Sequence, residues 1–407
     1  MVTLKKGKLK RRLVLALDWL SDIAIKKEET ITNELNILNA EHSYWKGAIK
    51  NEYIVAKKKW NFYAPVWHSG QALKALVLAS QLNFIENKTK YLDTAKDIAN
   101  FILKNQIWEE NNPDHGLLLA FEDVPGMINT SGIFEAADGL FVLSEITKNE
   151  LYKERILKAL DYCIDNLYVK GEGLFNDSYD YKNKKIYNPF NYEHVNGKEL
   201  PGRPLNDDSV FLKAYNLTKK EKYNEVFWEI IERLMKEENP PGNWIKYHPC
   251  NSRKGYIHPR HAFWWGRPFI RAYEETKKQE YLDVATRSGE WYKKAVRADG
   301  GLFRNTYVDF NTDSFGQATS GTACAAILWS ELKQATGNSE YNSYIRNSLV
   351  HCMNLQFNRA EDKNLHGCIL EKVLTPDGTD RNPYFIRDLG TIFFIQAAIK
   401  YLGQNKV

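Results

Sequence analysis

A short motif recurs along the chain, and it constrains the fold more than any other feature. The segments LSEITKNELYKERI, AYNLTKKEKYNEVF, AYEETKKQEYLDVA and LKQATGNSEYNSYI each carry a Thr five residues before a Tyr. A looser copy, ASQLNFIENKTKYLDTA, contains Tyr91. Successive Tyr residues are spaced by roughly 60 to 70 positions, which is typical of a chain built from one repeated supersecondary unit. The motif residues are Thr147, Thr218, Thr276 and Thr336, with Tyr152, Tyr223, Tyr281 and Tyr341.

Apolar periodicity on both sides of the motif predicts that each unit is a helical hairpin. Apolar residues recur at helical spacing before the Thr and after the Tyr. The Thr, or the Lys-Lys pair that follows it, is expected to end the first helix, and the Tyr to pack in the first turn of the second. A short turn between them makes the two helices antiparallel. The predicted pairs are 69–83/89–105, 132–147/150–167, 207–218/220–237, 262–276/279–296 and 317–336/339–357.

Two further predicted helices determine whether the repeated hairpins form a closed ring. They lie at 8–27 and 386–402, and pairing them would complete a sixth hairpin. Six hairpins in a closed ring form an all-α (α/α)6 barrel, and we expect residues 1–407 to form one such domain. An open solenoid is the alternative, but solenoids usually keep stricter repeat lengths. The long, irregular loops at 168–206, 238–261, 297–316 and 358–385 favour the ring and are expected to carry function.

Composition and charge narrow the partners of this chain. The net charge is only +5, and the basic residues concentrate in a short N-terminal run without a basic-aromatic module, so we expect no nucleic-acid partner. Neither a run of about 20 apolar residues nor a convincing signal peptide is present, so no membrane partner is expected. Five scattered cysteines suit buried free thiols in the cytoplasm. We expect a cytoplasmic monomer or homodimer.

Polar and aromatic clusters stand where the first helix of each predicted hairpin begins. The first helix of each hairpin carries less charge than the second, as a comparison of SGTACAAILWSEL with NSEYNSYIRNSL illustrates. The first helices should therefore line the inside of the ring. Their N-termini then open toward one end and form a funnel there, with positive dipole ends that favour an anionic ligand. The abundant Trp and Tyr residues can stack on sugar rings. The clusters are Val66-Trp67-His68, Asn129-Thr130-Ser131, Asn206-Asp207-Asp208, 261–267, 313–317 and 384–388.

Each cluster also has a structural interpretation. A lone Asp at a helix start is often an N-cap, a Trp pair such as Trp264-Trp265 is often core, and a buried Arg267 needs an anionic partner, whether a side chain or a ligand. HPRH at 258–261 carries a Pro that argues against a helical metal site. P-loop, GxGxxG and GxSxG motifs are missing from the sequence. We therefore expect an acid/base enzyme without metal or cofactor.

Several segments resemble the unsaturated glucuronyl and unsaturated rhamnogalacturonyl hydrolases, glycoside hydrolase families 88 and 105. Asp207-Asp208-Ser209 followed by FLKAYNLTKKEKY is similar to the family's Asp-bearing inner helix. HAFWWGRPFIRAYEE is similar to its W-x-R-G-x-x-W helix, although Pro268 stands where the family has Gly. DSFGQATSGTACAAILWSEL and RDLGTIFFIQAAIKYL are similar to its last two inner helices. The resemblance covers roughly residues 60–402 and implies the (α/α)6 barrel.

The resemblance also implies a reaction. These enzymes hydrate the C4–C5 double bond of a terminal unsaturated uronic acid, using an Asp that donates a proton and activates water. By resemblance Asp207 is the first choice for that acid/base and Asp208 the second. A second family Asp, at the start of an earlier inner helix, has no clean counterpart. Asp123 stands upstream of the corresponding segment 129–132 and Asp138 one and a half turns inside it, and Asp138 is the candidate. Candidate contacts to the oligosaccharide substrate are His261, Arg267 and Arg387 for a uronate carboxylate, Trp67 and Trp265 for stacking, and His68, Arg203, Asp313, Tyr384 and Asp388.

Three other functions remain open from the residues alone. An ordinary exo-glycosidase, such as a β-glucuronidase, would need two carboxylates at a suitable separation, for which Asp207 or Asp208 could pair with Asp138, Asp313 or Asp388. A sugar epimerase of the acylglucosamine epimerase type would use histidines that face one another, such as His68, His258 and His261. A scaffold without activity would instead have a filled or apolar funnel.

Overall fold

The computed structural model describes residues 3–122, 124–193, 197, 199–312, 316–373 and 385–403, so the candidates Asp313 and Tyr384 lie outside the described residues. Within these ranges the chain is predominantly helical, with strands of two or three residues between the helices. The helices are α1 Lys6–Asp22, α2 Pro65–Ser80, α3 Lys88–Lys104, α4 Thr130–Thr147, α5 Glu150–Asn166, α6 Val210–Thr218, α7 Glu221–Glu237, α8 His261–Thr276, α9 Gln279–Ala295, α10 Thr319–Thr336, α11 Tyr341–Asn354 and α12 Leu389–Gly403.

The helices close into a ring of six hairpins. The even-numbered helices form the inner circle, because α2 packs on α4, α10 on both α8 and α12, and α12 returns to α2. Between α4 and α8 the circle continues through α6 and the 3-10 turn before it, Asp207–Ser209. The odd-numbered helices form the outer circle, and α1 packs against α12 to complete the sixth hairpin. The predicted closed, all-α (α/α)6 ring is therefore confirmed, and the open solenoid is excluded.

The recurring Thr ends an inner helix in four of the six hairpins. Thr147, Thr218, Thr276 and Thr336 are the last residues of their helices, and each hydroxyl donates to the carbonyl four residues earlier at 2.7 to 2.8 Å. The next residue turns the chain in the left-handed conformation in all four hairpins. In the last repeat that residue is Gly337, but in the other three it is a Lys. The expected helix end at Thr is confirmed.

The recurring Tyr packs an outer helix against its neighbour. Tyr91, near the start of α3, donates its hydroxyl to Asp18 of α1 at 3.0 Å, and Tyr223 of α7 donates to Asp161 of α5. All five motif tyrosines are buried. The amphipathic outer helices thus face their apolar sides inward, whereas α2, α10 and α12 are buried along nearly their whole length.

Short antiparallel strands fold the long loops over the end of the ring where the inner helices begin. Pairing of β1 with β13 sets Glu52 opposite Arg387 immediately before α12, and β3 ends at Asn129, whose side chain caps α4. The strands are β1 Glu52–Ile54, β2 Lys59–Asn61, β3 Ile128–Asn129, β4 Tyr168–Val169, β5 Leu174–Phe175, β6 Ser178–Asp180, β7 Lys185–Tyr187, β8 Asn191–Glu193, β9 Glu199–Pro201, β10 Tyr256–Ile257, β11 Thr306–Tyr307, β12 Lys372–Val373 and β13 Phe385–Arg387.

Two further sequence expectations concern the chain as a whole. Cys163, Cys250, Cys324, Cys352 and Cys368 are all buried and unbonded to one another, as their scattered positions indicated. Among the described helices, none combines the length and apolar character that a membrane crossing requires.

Candidate active site

Asp207 and Asp208 lie on a sharply bent turn that replaces the first part of the α6 inner helix. Asp208 and Ser209 both adopt left-handed backbone angles, with φ of 50° and 55°. Such angles are uncommon for residues other than Gly and mark a backbone held by its surroundings. The bend sends the two adjacent carboxylates into different environments. The helix predicted from 207 therefore begins at Val210, and the first three residues form the 3-10 turn instead.

Asp207 is a buried carboxyl group that contacts no compensating cation among the described residues. It is only 4% exposed, and its Oδ2 has no hydrogen-bond partner in that part of the chain. Burial, reinforced by the negative charge of Asp208, raises the pKa of Asp207 to about 7. Arg203 acts in the opposite direction but does not cancel this effect. A carboxyl group that gains and loses a proton near neutral pH is suited to general acid/base chemistry.

Asp208 is held as a carboxylate by two cations from other helices. Lys74 of α2 donates to its Oδ1 at 2.9 Å, and Arg267 of α8 donates to the same oxygen. Burial alone would raise the pKa of Asp208, but Lys74 and Arg267 hold it well below its usual range. This carboxylate is therefore ion-paired and ionised, which distinguishes it from its neighbour in sequence.

Asp138 and Glu135 of α4 face the same interior. Asp138 pairs with Lys74 at 2.6 Å and with Lys213 of α6, so it is neutralised on both sides. Glu135 is buried and accepts a hydrogen bond from Gln71. Burial raises the pKa of Glu135 well above its ordinary value, and the charges of Asp207 and Asp208 raise it further. Asp138, which the sequence suggested as a second catalytic carboxylate, is thus a partner of lysines.

An ion-pair network crosses the interior of the ring below Asp207, and we call it the polar belt. Arg267 makes two hydrogen bonds of 2.9 Å to Glu331 of α10 in a forked geometry, which Lys400 of α12 joins at 3.2 Å. The charge of Arg267, with Arg271 and Lys400, keeps the pKa of Glu331 below its usual range despite burial. The polar belt consists of Lys74, Asp138, Asp208, Arg267, Glu331 and Lys400, one from each inner helix or its leading turn.

This network shows which side chains partner Arg267. The sequence left open whether its anionic partner would be a side chain or a substrate, and the family resemblance favoured a uronate carboxylate. In the structure Asp208 and Glu331 occupy its guanidinium, and the helix continues through the neighbouring Pro268. Arg267 therefore stabilises the floor of the site.

Three buried histidines lie at or near the starts of the inner helices α2 and α8. His261, the first residue of α8, is fully buried, and neither ring nitrogen has a hydrogen-bond partner within the described ranges. Burial, together with Arg203 and His248, holds the pKa of His261 well below its ordinary value, so the ring is neutral. The pKa of His258 is also lowered, by burial and by the nearby charge of Arg304. His68 of α2 instead pairs through Nδ1 with the buried Asp388 at 2.6 Å.

The remaining sequence candidates are divided between the opening and the core. Arg203 lies at the opening, buried and paired with Asp177. Trp67 is nearly buried beside the guanidinium of Arg260, whose carbon lies 5.8 Å from its ring. Trp265 is 2% exposed and packs edge-on against Trp244 and Tyr247. Its ring therefore lies in the aromatic core, and its stacking on a sugar stays a prediction.

Three charged residues of the opening were not singled out from the sequence. Arg260, Arg304 and Glu371 come from the long loops. Arg387 and Arg260 act on the charge of Arg304, and Glu371 acts on the charges of both Arg304 and Arg387. The guanidinium of Arg387 stacks over a tyrosine ring at 4.7 Å. The loop lengths indicated where such residues would lie. Their identity depends on strand pairings between distant segments, which the repeat pattern does not contain.

Comparison with known proteins identifies the fold of this chain. A scan of protein-family models found no match, and a search of curated proteins found none either. An unsaturated glucuronyl hydrolase specific for heparin superposes with a TM-score of 0.68 at 13% identity, covering 99% of both chains. The chain has the (α/α)6-barrel fold. A sugar epimerase from a ruminal bacterium matches it with a TM-score of 0.66 at 13% identity over 99% of both chains. A D-mannose isomerase matches with a TM-score of 0.65 at 12% identity over 98% of both.

Proposed function

We propose that this protein is a carbohydrate-processing enzyme that removes a terminal unsaturated uronic acid from an oligosaccharide, with Asp207 as the general acid/base. The observation that carries the proposal is the state of Asp207: it is buried, one oxygen has no partner among the described residues, and its pKa is raised to about 7. The neighbouring Asp208 is ionised and occupied by Lys74 and Arg267. The solved hydrolase of like fold, described as specific for heparin, supports the substrate class.

The proposed chemistry needs one such carboxyl group and one water molecule. Protonated Asp207 delivers its proton to C4 of the sugar, and water adds its oxygen to C5 while its proton passes to the Asp207 carboxylate. The C5 hemiketal then opens to a ketone and frees C1 as a hemiacetal, which expels the neighbouring sugar. Asp207 ends protonated, as it began, and no second catalytic carboxylate is consumed. The raised pKa is what allows the same group to serve as acid and then as base.

The deciding experiment follows the ultraviolet absorbance of lyase-generated unsaturated disaccharides. The conjugated C4–C5 double bond absorbs and is lost on hydration, so wild-type protein should abolish the signal. Asp207→Asn should slow this loss by roughly a hundredfold or more, whereas Asp309→Asn, on an exposed loop, should leave it unchanged. If a saturated uronoside is cleaved while every unsaturated disaccharide keeps its absorbance, the protein is an ordinary glycosidase and the proposal is wrong.

An epimerase is a second candidate because of His261. Its neutral, buried imidazole lies at the opening with both nitrogens unpaired among the described residues, which suits a base that removes a proton beside a sugar carbonyl. Two of the solved structures of like fold, the sugar epimerase and the mannose isomerase, support this alternative. Incubation of reducing sugars in deuterated water distinguishes it: incorporation of deuterium at C2 that His261→Ala abolishes and Asp207→Asn leaves intact would establish the epimerase.

A further inference from the structure

Three guanidinium groups near the starts of the inner helices act on a shared electrostatic environment. Arg260 precedes α8, Arg304 lies in the loop between α9 and α10, and Arg387 ends β13. Arg387 and Arg260 both depress the pKa of Arg304, which burial lowers to about 10. Glu371 is the anion that all three share, since it lies 3.5 Å from Arg260 and acts on the charges of Arg304 and Arg387.

The described carboxylates satisfy Arg387 of this group but not Arg260 and Arg304 in full: Arg387 pairs with Glu52, whereas Arg260 donates to Ser320 at 2.7 Å and reaches Glu371 only at 3.5 Å. Glu371 is engaged mainly by Ser320, which donates through its hydroxyl at 2.7 Å and its backbone amide at 3.1 Å. Glu52 is bound by Arg387 and Asn61. Asp388, also nearby, is bonded to His68.

Two guanidinium nitrogens remain buried without a hydrogen-bond partner in the described part of the chain. They are Nε of Arg260, a residue only 5% exposed, and Nη1 of Arg304. A buried donor on a charged group that lacks a partner costs free energy. That cost is offset where an oxygen of a bound ligand accepts the hydrogen bond. Guanidinium groups bind oxyanions such as carboxylate and sulfate with two hydrogen bonds each.

Aromatic rings lie beside two of these guanidinium groups, those of Arg260 and Arg387. The guanidinium carbon of Arg260 lies 4.9 Å from the ring of Trp264 and 5.8 Å from that of Trp67, and Arg387 lies over Tyr63. His258 stacks parallel to Trp264 at 5.2 Å. Flat apolar surfaces beside cationic donors match a sugar ring that carries an acidic substituent.

We propose that Arg260, Arg304 and Arg387 form a subsite for an acidic group on a sugar unit that adjoins the one held at Asp207, either a uronate carboxylate or a sulfate ester. The charges that act most strongly on Asp207 are Asp208, Arg203 and Asp138, whereas Arg304 responds to Arg387 and Arg260. Different charged residues thus act on Asp207 and on Arg304, so the proposed subsite is distinct from the surroundings of Asp207. The placement beside Asp207 rests on the proposed function, but the anion binding does not.

Binding to a protein that cannot turn over tests this subsite. In an Asp207→Asn background, calorimetric titration with glucuronate, glucose 6-sulfate and glucose should give Kd values roughly tenfold or more lower for an acidic sugar than for glucose, as charge-assisted hydrogen bonds predict. A preference for glucuronate identifies a carboxylate as the ligand, and a preference for glucose 6-sulfate identifies a sulfate ester. Adding Arg304→Gln should remove the preference, whereas Arg253→Gln, the same charge change on an exposed loop, should preserve it.

Equal affinity for acidic and neutral sugars would overturn the subsite, and so would a preference that survives Arg304→Gln. Because Arg304 forms no ion pair among the described residues and its Nη1 is an unpaired buried donor there, Arg304→Gln should fold and melt at or above the temperature of its parent, which near-ultraviolet circular dichroism checks. The readout is binding, so it is independent of whether Asp207 performs the proposed reaction. If unsaturated disaccharides keep their ultraviolet absorbance while the preference for acidic sugars is intact, the proposed reaction is wrong and the subsite stands.

Discussion

Two adjacent aspartates have opposite properties because of what surrounds each one. Asp208 receives Lys74 and Arg267 and stays ionised, whereas Asp207 has no described cation in ion-pair contact and a pKa raised to about 7. The left-handed turn at Asp208 separates the two side chains. The pair of residues was evident in the sequence, and so was the first choice of Asp207. The reason for that choice was not, since Lys74 and Arg267 lie on helices far away in the chain.

The pH dependence of activity should report the protonation of Asp207. If protonated Asp207 is the acid, the rate is highest below its pKa and falls as pH rises through about 7. The negative charge of Asp208 contributes to that pKa, so Asp208→Asn should move the midpoint to lower pH, by roughly one unit. Rates measured from pH 5 to 9 check this. A midpoint that does not move, or moves upward, would show that Asp207 does not control the profile.

The free energy of unfolding should also depend on the protonation of Asp207. This dependence on pH runs in the opposite direction to that of a carboxylate in an ion pair. Because the folded-state pKa of Asp207 is raised from 3.8 to about 7, its ionisation destabilises the fold as pH rises across that interval. Asp207→Asn cannot ionise, so at pH 8 its free energy of unfolding should exceed that of wild type by a few kcal/mol. At pH 4 the two proteins should be nearly equal. Urea unfolding at both values measures the difference.

At the scale of elements, the polar belt ties the inner helices together. Each inner helix, or the turn before α6, provides one charged member, and every carboxylate in it has at least one cation within 3.2 Å. Buried ion pairs contribute little net stability when complete but are costly to break. The belt is therefore expected to act as a specificity device that fixes how the helices are rotated against one another.

Arg267→Met should be strongly destabilising, because it leaves Glu331 and Asp208 without their forked partner. Removal of one member of a buried pair typically costs about 3–5 kcal/mol. Arg271→Met, one turn later in α8 and about a third exposed, should cost under about 1 kcal/mol. Chemical denaturation at pH 7 compares the two variants. A loss of equal size in both would show that the belt does not depend on its central arginine.

The helices themselves were predictable because their signals are local. Thr at each inner helix end bonds four residues back, and the Tyr that follows packs in the next turn. Both features recur in the sequence with the repeat. The short strands were not predicted, because a pair such as Glu52 with Arg387 joins segments that are more than 300 residues apart in the chain. Of the arginines of the proposed subsite, Arg387 was a candidate from the sequence, whereas Arg260 and Arg304 belong to this second, non-local class.

At the scale of the whole molecule, the contact of α1 with α12 closes the ring. Leu17 of α1 is fully buried, and Leu17→Ala should cost about 2–5 kcal/mol. In a closed ring this loss should lower hydrogen-exchange protection in the core helices on the far side, such as α6 and α7, and not only near α1. Leu151→Ala, at a position 46% exposed, should have an effect within about 0.5 kcal/mol. Loss of protection confined to α1 and its neighbours would indicate solenoid-like, nearest-neighbour stability.

Under the proposed function, the polar belt also bears on how a sugar chain reaches and leaves the site. Ion pairs such as Lys74 with Asp208 join inner helices that are not neighbours in the ring, so they cross its interior. A belt that crosses the interior is expected to prevent a polysaccharide from being threaded through it, and product is expected to leave by the end at which substrate arrived. The enzyme is therefore expected to trim one terminal unit per encounter and to release the shortened chain each time. On a long substrate, its rate should follow the number of chain ends and not the total mass of polymer.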